Sequence, residues 1–354
     1  MIAFTKATLS RADAYDDATR RVASSCYVVG FFLIPDFPML AFASSIEPLR
    51  AANRLSGQRL FDWRLVSSDG GPVRASNGID VAVHQASGEQ AGVDLLLVYA
   101  GTDVKSDAAT AKWLRALSRE GVALGGVSLG AYVLAQAGLL DGRRCTLHWE
   151  NLAAFAERFP RARVTADVFV VDGNRYTCSG GTSGLDMMLH LISDRCGRAL
   201  ANDVSEQFIH PRIRETHDPQ RMAVQSRVGV ANSKLIAAIG MMEAQHEDPR
   251  PVGAIAEEAG LSPRQLERLF AKYVGTSPSH YYLRLRLERA RTMLLQTAKP
   301  VLDVAVACGF ASASHFSRCY RAEYGRKPSH ERIAMLTPAS KPMRNSNGNR
   351  GKRR

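Results

Sequence analysis

The sequence predicts an α/β domain built on a parallel sheet, followed by an all-α domain with two helix-turn-helix motifs. Three observations carry this reading. Strand-like apolar runs alternate with helical stretches from Cys26 to about residue 200, a pattern that implies a parallel sheet with covering helices. From residue 232 onward the periodicity is helical throughout. Charge divides in nearly the same place. Residues 1–215 hold 23 Lys and Arg against 23 Asp and Glu, whereas residues 216–354 hold 23 against 11, so the whole net charge of +12 lies in the last 139 residues. A neutral half followed by a basic half points to one part facing small molecules or proteins and another facing a polyanion.

The elements follow in order. Cys26-Tyr-Val-Val-Gly-Phe-Phe-Leu-Ile34 is a near-continuous β-type run, as expected of a strand buried on both faces. Met39 to Leu55 reads as a helix with Leu40, Ser44, Glu47 and Ala51 at helical spacing. Further apolar runs lie at Trp63–Val66, Val93–Tyr99 and Val122–Val127. Between the last two, Ser106–Glu120 sets Trp113, Leu114 and Leu117 on one stripe. The alternation continues through Leu129–Leu140, Leu152–Phe159, Val168–Val171, Tyr176–Cys178 and Thr182–Cys196, giving one domain over residues 25–200. Residues 198–222 show no clear periodicity, which sets a linker at 201–230. The helical domain, residues 231–332, runs through Asn232–His246, Val252–Ala259, Pro263–Tyr273, Ser279–Leu295, Leu302–Ala307 and Ser314–Tyr324. Residues 1–24 are expected to be a mobile leader. Residues 333–354, rich in Lys, Arg, Asn, Gly and Ser, are expected to be a disordered basic tail.

Composition excludes several classes. The longest apolar run, about Val93 to Ala100, is far short of the roughly 20 residues a membrane helix needs. The leader carries Asp13, Asp16 and Asp17 and lacks the apolar stretch of a signal peptide. Six cysteines without a C-x-x-C spacing read as reduced thiols in a cytoplasmic protein. No metal or cofactor is assigned.

The basic half repeats itself. Ile255-Ala-Glu-Glu-Ala-Gly-Leu261 aligns with Val304-Ala-Val-Ala-Cys-Gly-Phe310. Leu266, Leu269, Phe270, Gly275 and Pro278 align with Phe316, Cys319, Tyr320, Gly325 and Pro328. Each copy reads as a helix, a glycine turn at Gly260 or Gly309, and a second helix. Ser262-Pro-Arg-Gln265 is a helix start with serine as N-cap, proline at the first position and glutamine closing a capping box. The outward face of the first motif's second helix holds Arg264, Gln265, Arg268 and Lys272. That of the second holds Ser312, Ser314, His315, Arg318 and Arg321. Such side chains hydrogen-bond base edges and phosphates, so two copies in the basic half point to double-stranded DNA. The joining helix keeps Leu283, Leu287, Ala290 and Leu294 on one face and Arg284, Arg286, Arg289 and Arg291 on the others.

Ile255-Ala-x-x-Ala-Gly-Leu-Ser262, Leu266-x-Arg-Leu-Phe270, Gly275-x-Ser-Pro278, Leu285-Arg-Leu-x-x-Ala290, Ala305-x-x-Cys-Gly-Phe310, His315-Phe-Ser-Arg318 and Tyr324-Gly-x-x-Pro328 resemble the DNA-binding domain of the AraC/XylS transcriptional regulators. The resemblance implies two recognition helices in successive major grooves, held one turn apart by the joining helix. By position, Arg264, Gln265 and Arg268 would read bases from the first, and Ser314, His315 and Arg318 from the second. Ser262, Ser312 and Arg321 lie on the same surface.

In the neutral half, Gly126-Val-Ser128-Leu-Gly130 matches G-x-S-x-G between a strand and a helix. Such a turn exposes the serine over the sheet's edge and sets helix amides behind it, which alone suggests an amidase or hydrolase using Ser128. Asp167, Asp172, His190 and His210 are the available acid and base partners, none in a persuasive context. Gly125-Gly-Val-Ser-Leu-Gly-Ala-Tyr-Val-Leu-Ala-Gln-Ala-Gly-Leu-Leu-Asp-Gly142, with Thr146-x-His-Trp149 after it, resembles instead the class I glutamine amidotransferase-like superfamily that includes the intracellular protease PfpI, and so implies a flavodoxin-like fold. Enzymes there place cysteine at the elbow and an acid early in the first helix. Here the elbow holds Ser128, and Met39-Leu-Ala-Phe42 holds no carboxylate. A serine without a positioned base is a poor nucleophile, so a binding pocket rather than an active site is expected.

An amidotransferase-like domain ahead of an AraC-type domain resembles the GlxA-like branch of that family. Ser45-Ile-Glu-Pro-Leu-Arg-Ala-Ala-Asn53, Phe61-Asp-Trp-Arg64, Ala75-Ser-Asn-Gly78, His148-Trp-Glu150 and Cys178-Ser-Gly-Gly-Thr182 look most like its activators of glycine betaine and carnitine catabolism. The resemblance implies an effector-responsive bacterial regulator, a homodimer through the α/β half that works with RNA polymerase. For a quaternary ammonium carboxylate, Ser128, Leu129 and the helix amides after them would hold the carboxylate. Trp149, with Phe37, would face the cation, with Glu150 as counter-charge and His148 alongside.

Overall fold

The computed structural model describes residues 26–88, 92–101, 107–220, 232–245, 248–297 and 299–331; the expected leader and basic tail lie outside them. The chain divides into two units, Met1–Ala223 and Val224–Arg354. Among the described residues no helix is long and apolar enough to cross a membrane.

In the first unit β1 (Tyr27–Leu33), β2 (Phe61–Ser67), β5 (Gln85–Ala86), β6 (Leu95–Ala100), β7 (Ala123–Ser128), β10 (Phe169–Asp172) and β11 (Arg175–Cys178) form one sheet in the order β10-β11-β7-β6-β1-β2-β5. Short pairs β3–β4 (Val73–Arg74, Asp80–Val81) and β8–β9 (Arg144–Cys145, Arg163–Val164) lie outside it. The apolar runs are continuous because both faces are covered. Phe31 and Leu33 of β1, with Leu95, Leu97 and Tyr99 of β6, enter one core against α1 (Met39–Ser56), α5 (Ser183–Cys196) and α6 (Arg198–Gln207). Phe32, Leu96 and Val98 enter the other against α2 (Ala108–Arg119), α3 (Gly130–Gln136) and α4 (Leu152–Arg158).

Three sequence expectations change here. The sheet is not wholly parallel: β10 runs antiparallel to β11, Asp172 opposite Arg175, around a two-residue Gly173-Asn174 turn with Gly173 at positive φ. The buried face of α1 is Ala41, Phe42, Ser45, Pro48, Leu49, Ala51 and Ala52, whereas Leu40 is 59% exposed, because the sheet meets the helix about one residue round from the expected stripe. Residues 198–220 are no free connector. α6 buries Leu200, Ala201, Val204 and Ser205, and the chain after it stays fastened to the first unit. His210 Nε2 lies 3.0 Å from the fully buried Asp186 carboxylate, and the Arg214 amide donates to it at 2.7 Å. Farther on, Gln220 Nε2 sits 2.8–3.0 Å from the Thr146 hydroxyl and the Leu147 and Asp167 carbonyls.

The second unit contains α7 (Ser233–Ala244), α8 (Val252–Glu258), α9 (Pro263–Tyr273), α10 (Pro278–Gln296), α11 (Val301–Ala307) and α12 (Ala313–Tyr324). It has two small cores. Leu235, Ile239, Ile255, Leu266, Phe270 and Tyr282 build one. Leu287, Ala290, Leu294, Val304, Phe316 and Tyr320 build the other. α10 serves both. The repeat is thus realised as two helix pairs, α8–α9 and α11–α12, turning at Gly260 (φ 70°) and Gly309 (φ 73°), where an L side chain would be strained.

Candidate functional site

The two repeat helices start in the same way. Ser262 Oγ accepts from the Gln265 amide, and Gln265 Oε1 accepts from the Ser262 amide at 2.8 Å, completing the capping box. Ser312 Oγ accepts from the His315 amide at 3.1 Å. Leu266 and Phe270, and in the second motif Phe316 and Tyr320, are buried at matching positions. Burial of that face leaves Arg264, Gln265, Arg268 and Lys272 exposed on α9, and Ser312, Ser314, His315, Arg318 and Arg321 exposed on α12. The expected reading residues thus emerge on one side of each helix. Their freedom differs, however. Both serines and the Gln265 oxygen serve the caps, leaving Gln265 only its amide N–H donors. His315 Nε2 lies 3.3 Å from Cys319 Sγ.

Charge sorts the arginines further. Among the described residues Arg264, Arg268, Arg318 and Arg321 have no ion-pair partner. Arg318, Arg321 and Lys327 also line a cavity of about 570 Å³ with no acidic residue in its wall. The arginines of α10 are used differently from those of α9 and α12. Arg286 donates to the Cys308 and Gly309 carbonyls at 2.8 and 2.6 Å and stacks over Phe310, tying the turn of the second motif to α10. Arg284 pairs with Glu323 at 3.2 Å. Arg291 donates at 2.9 Å to Glu331, a buried carboxylate that also receives the Tyr320 hydroxyl at 3.0 Å and the Arg326 guanidinium at 3.4 Å. These cations are framework. Sequence reasoning missed Glu331 because no local pattern marks an acid so near the basic tail as buried.

In the first unit Ser128 ends β7 at φ 57°, the strained turn expected of G-x-S-x-G. Gly130 permits it: a Cβ there would lie 1.9 Å from the Val98 carbonyl oxygen. A neighbouring thiol, Cys178, is pushed up to about 11 by burial, though the amides of Gly180 and Ser128 pull the other way, so it stays protonated at neutral pH. The first turn of α1 has no acidic residue. The acids and histidines available to a triad are committed elsewhere: Asp167 to Arg144 and His217, Asp172 to the Arg144 amide, His190 to Asp194, and His210 to Asp186.

The His148–Glu150 turn reaches the same end of the sheet. The Thr146 amide donates at 3.0 Å to Thr177 Oγ1 of β11, and Thr177 and Cys178 pair with Gly126 and Val127 just before the elbow. Trp149 is 39% exposed, its ring 5.6 Å from that of His148, and His148 Nδ1 lies 3.8 Å from Glu150. Burial lowers the His148 pKa below the ordinary imidazole value; Glu150 opposes this. Phe37, by contrast, is fully buried and packs edge-on against Phe42, so its ring belongs to the core.

Comparison with known proteins agrees with both halves. Residues 255–333 match a helix-turn-helix domain model and residues 40–194 the DJ-1/PfpI family. The chain is 47% identical to the HTH-type transcriptional regulator CdhR of Pseudomonas aeruginosa, over 88% of this chain and 94% of that one. It is 44% identical to GbdR of the same species, over 86% and 83%, and 39% identical to GlxA of Rhizobium meliloti, over 85% and 94%. With regulators rather than enzymes as its relatives along almost their whole length, the chain belongs to the AraC-type transcriptional regulators that carry a DJ-1/PfpI domain ahead of the helix-turn-helix domain.

Proposed function

We propose that the chain regulates transcription by reading an operator through α9 and α12 while sensing a small betaine- or carnitine-like metabolite at the Ser128 end of its α/β unit. The observation that carries the first part is the segregation of arginines. Arg264, Arg268, Arg318 and Arg321 stand exposed and unpaired among the described residues on two equivalently capped helices, while the neighbouring Arg286 and Arg291 are bound into the framework. A guanidinium free of internal partners can donate in bidentate fashion to a guanine edge.

Arg268→Ala and Arg318→Ala should each weaken operator binding by about 1–3 kcal/mol and relax base preference at separate positions. Selection from a randomised DNA pool tests this, and unchanged preference in both variants overturns the assignment.

The effector reading is supported by an elbow whose strained geometry persists without a base, and by an exposed indole beside Glu150 at the same sheet end. An aromatic face and a carboxylate suit a methylated ammonium, and amides at a helix start suit its carboxylate. In this reading the protein is a homodimeric activator that works with RNA polymerase. Titration of the whole protein with glycine betaine, L-carnitine and choline tests the effector. A ligand at 100 times its Kd should add about 2.7 kcal/mol of stability, and Trp149→Ala should remove that gain. A full gain in the variant refutes the site.

A further inference from the structure

A second concavity of the first unit is lined by neither Ser128 nor the His148–Glu150 turn. About 920 Å³ in volume, it is bounded by β10, α5, α6 and the strap of residues 212–218, within the range of small-molecule sites. Its floor is apolar, formed by Phe169, Leu189 and Ile213, and its rim carries guanidinium groups. Two of these are held from behind. Asp186, fully buried, pairs with Arg214 at 2.7 Å, and Asp167 pairs with Arg144 at 3.1 Å. A guanidinium has five N–H donors, so one oriented by a carboxylate behind it keeps donors for a ligand in front. Arg198 lines the same space, and its guanidinium has neither an ion pair nor a hydrogen bond among the described residues. The acids facing the cavity are Asp218, taken by Arg212, and Glu215. Glu215 opposes a second negative charge, and the floor favours a hydrocarbon body.

We propose that this cavity is a second small-molecule site, for a monocarboxylate with a short apolar body whose carboxylate is received by Arg198. The site goes beyond the effector reading, uses none of its residues, and has the strap leading to Gln220 as one wall.

Isothermal titration of the full-length protein with sodium isovalerate, and with 3-methylbutan-1-ol as the same body without a carboxylate, tests it. Isovalerate should bind and the alcohol should not. Arg198→Ala should raise the isovalerate Kd at least tenfold, Arg198→Lys should restore part of the affinity, and Trp149→Ala should leave it unchanged. Absence of isovalerate binding, equal binding of the alcohol, or binding that survives Arg198→Ala overturns the proposal. Loss in Trp149→Ala alone places the carboxylate at the elbow instead, also overturning it. A betaine titration that fails while isovalerate binds refutes the effector reading only.

Discussion

At Ser128 a non-glycine residue holds φ 57°, a conformation that costs about 1–2 kcal/mol. The turn was legible in sequence because G-x-S-x-G names the close approaches it needs, Gly130 against Val98 above all. The chemistry was legible too, from what is missing: serine in place of cysteine, and no acid at the start of α1. Phe37 was not. A phenylalanine next to an elbow and one in the core look alike until its burial is known. His148 yields a test at this scale. Because burial lowers its folded pKa beneath 6.5, the folded state binds fewer protons than the unfolded chain as pH falls. Its contribution to stability is therefore complete above about pH 6.5 and declines as pH drops through the lowered value. Thermal melts from pH 7.5 to 5 should show that decline, and His148→Gln should flatten it.

At the scale of elements, periodicity locates the six longer strands and most helices but none of the two-residue strands β3, β4, β5, β8 and β9, which are too short to show a period, and it gives α6 as connector. Arg198-Ala-Leu-Ala-Asn-Asp-Val-Ser-Glu-Gln207 offers only Leu200, Ala201 and Val204 as an apolar face, too narrow a stripe to announce a helix without the groove it fills. What fastens the chain beyond it is polar and long-range, hence invisible to pattern reading. Gln220, 74 residues from Thr146 in sequence, holds three acceptors beside the His148–Glu150 turn. Gln220→Ala leaves the Leu147 carbonyl without that donor and should cost about 1–3 kcal/mol. Urea denaturation of the whole protein, followed by the fluorescence of Trp63, Trp113 and Trp149, all in the first unit, measures it, and a loss below about 0.5 kcal/mol would show the strap is held elsewhere.

For the whole molecule, the division of charge at residue 215 was the most informative line of the sequence, and it falls close to the boundary between Ala223 and Val224. The repeat assigned the basic half its fold and its reading faces. It could not assign each arginine its partner, because ion pairs such as Arg291–Glu331 join residues 40 positions apart. That distinction has a consequence in solution. Counterions are released from DNA only by cations that reach phosphates, about 0.9 for each one neutralised. Arg286, spent on two backbone carbonyls, and Arg284, Arg291 and Arg326, each already neutralised in part by a carboxylate of their own chain, should release fewer than the unpaired arginines of α9 and α12. The slope of log Kd against log salt should therefore be shallower than the basic residues of this half suggest. If Arg318 meets a phosphate in addition to any base it reads, Arg318→Ala should lower that slope by about one, whereas Arg291→Gln should weaken the fold and leave the slope where it was.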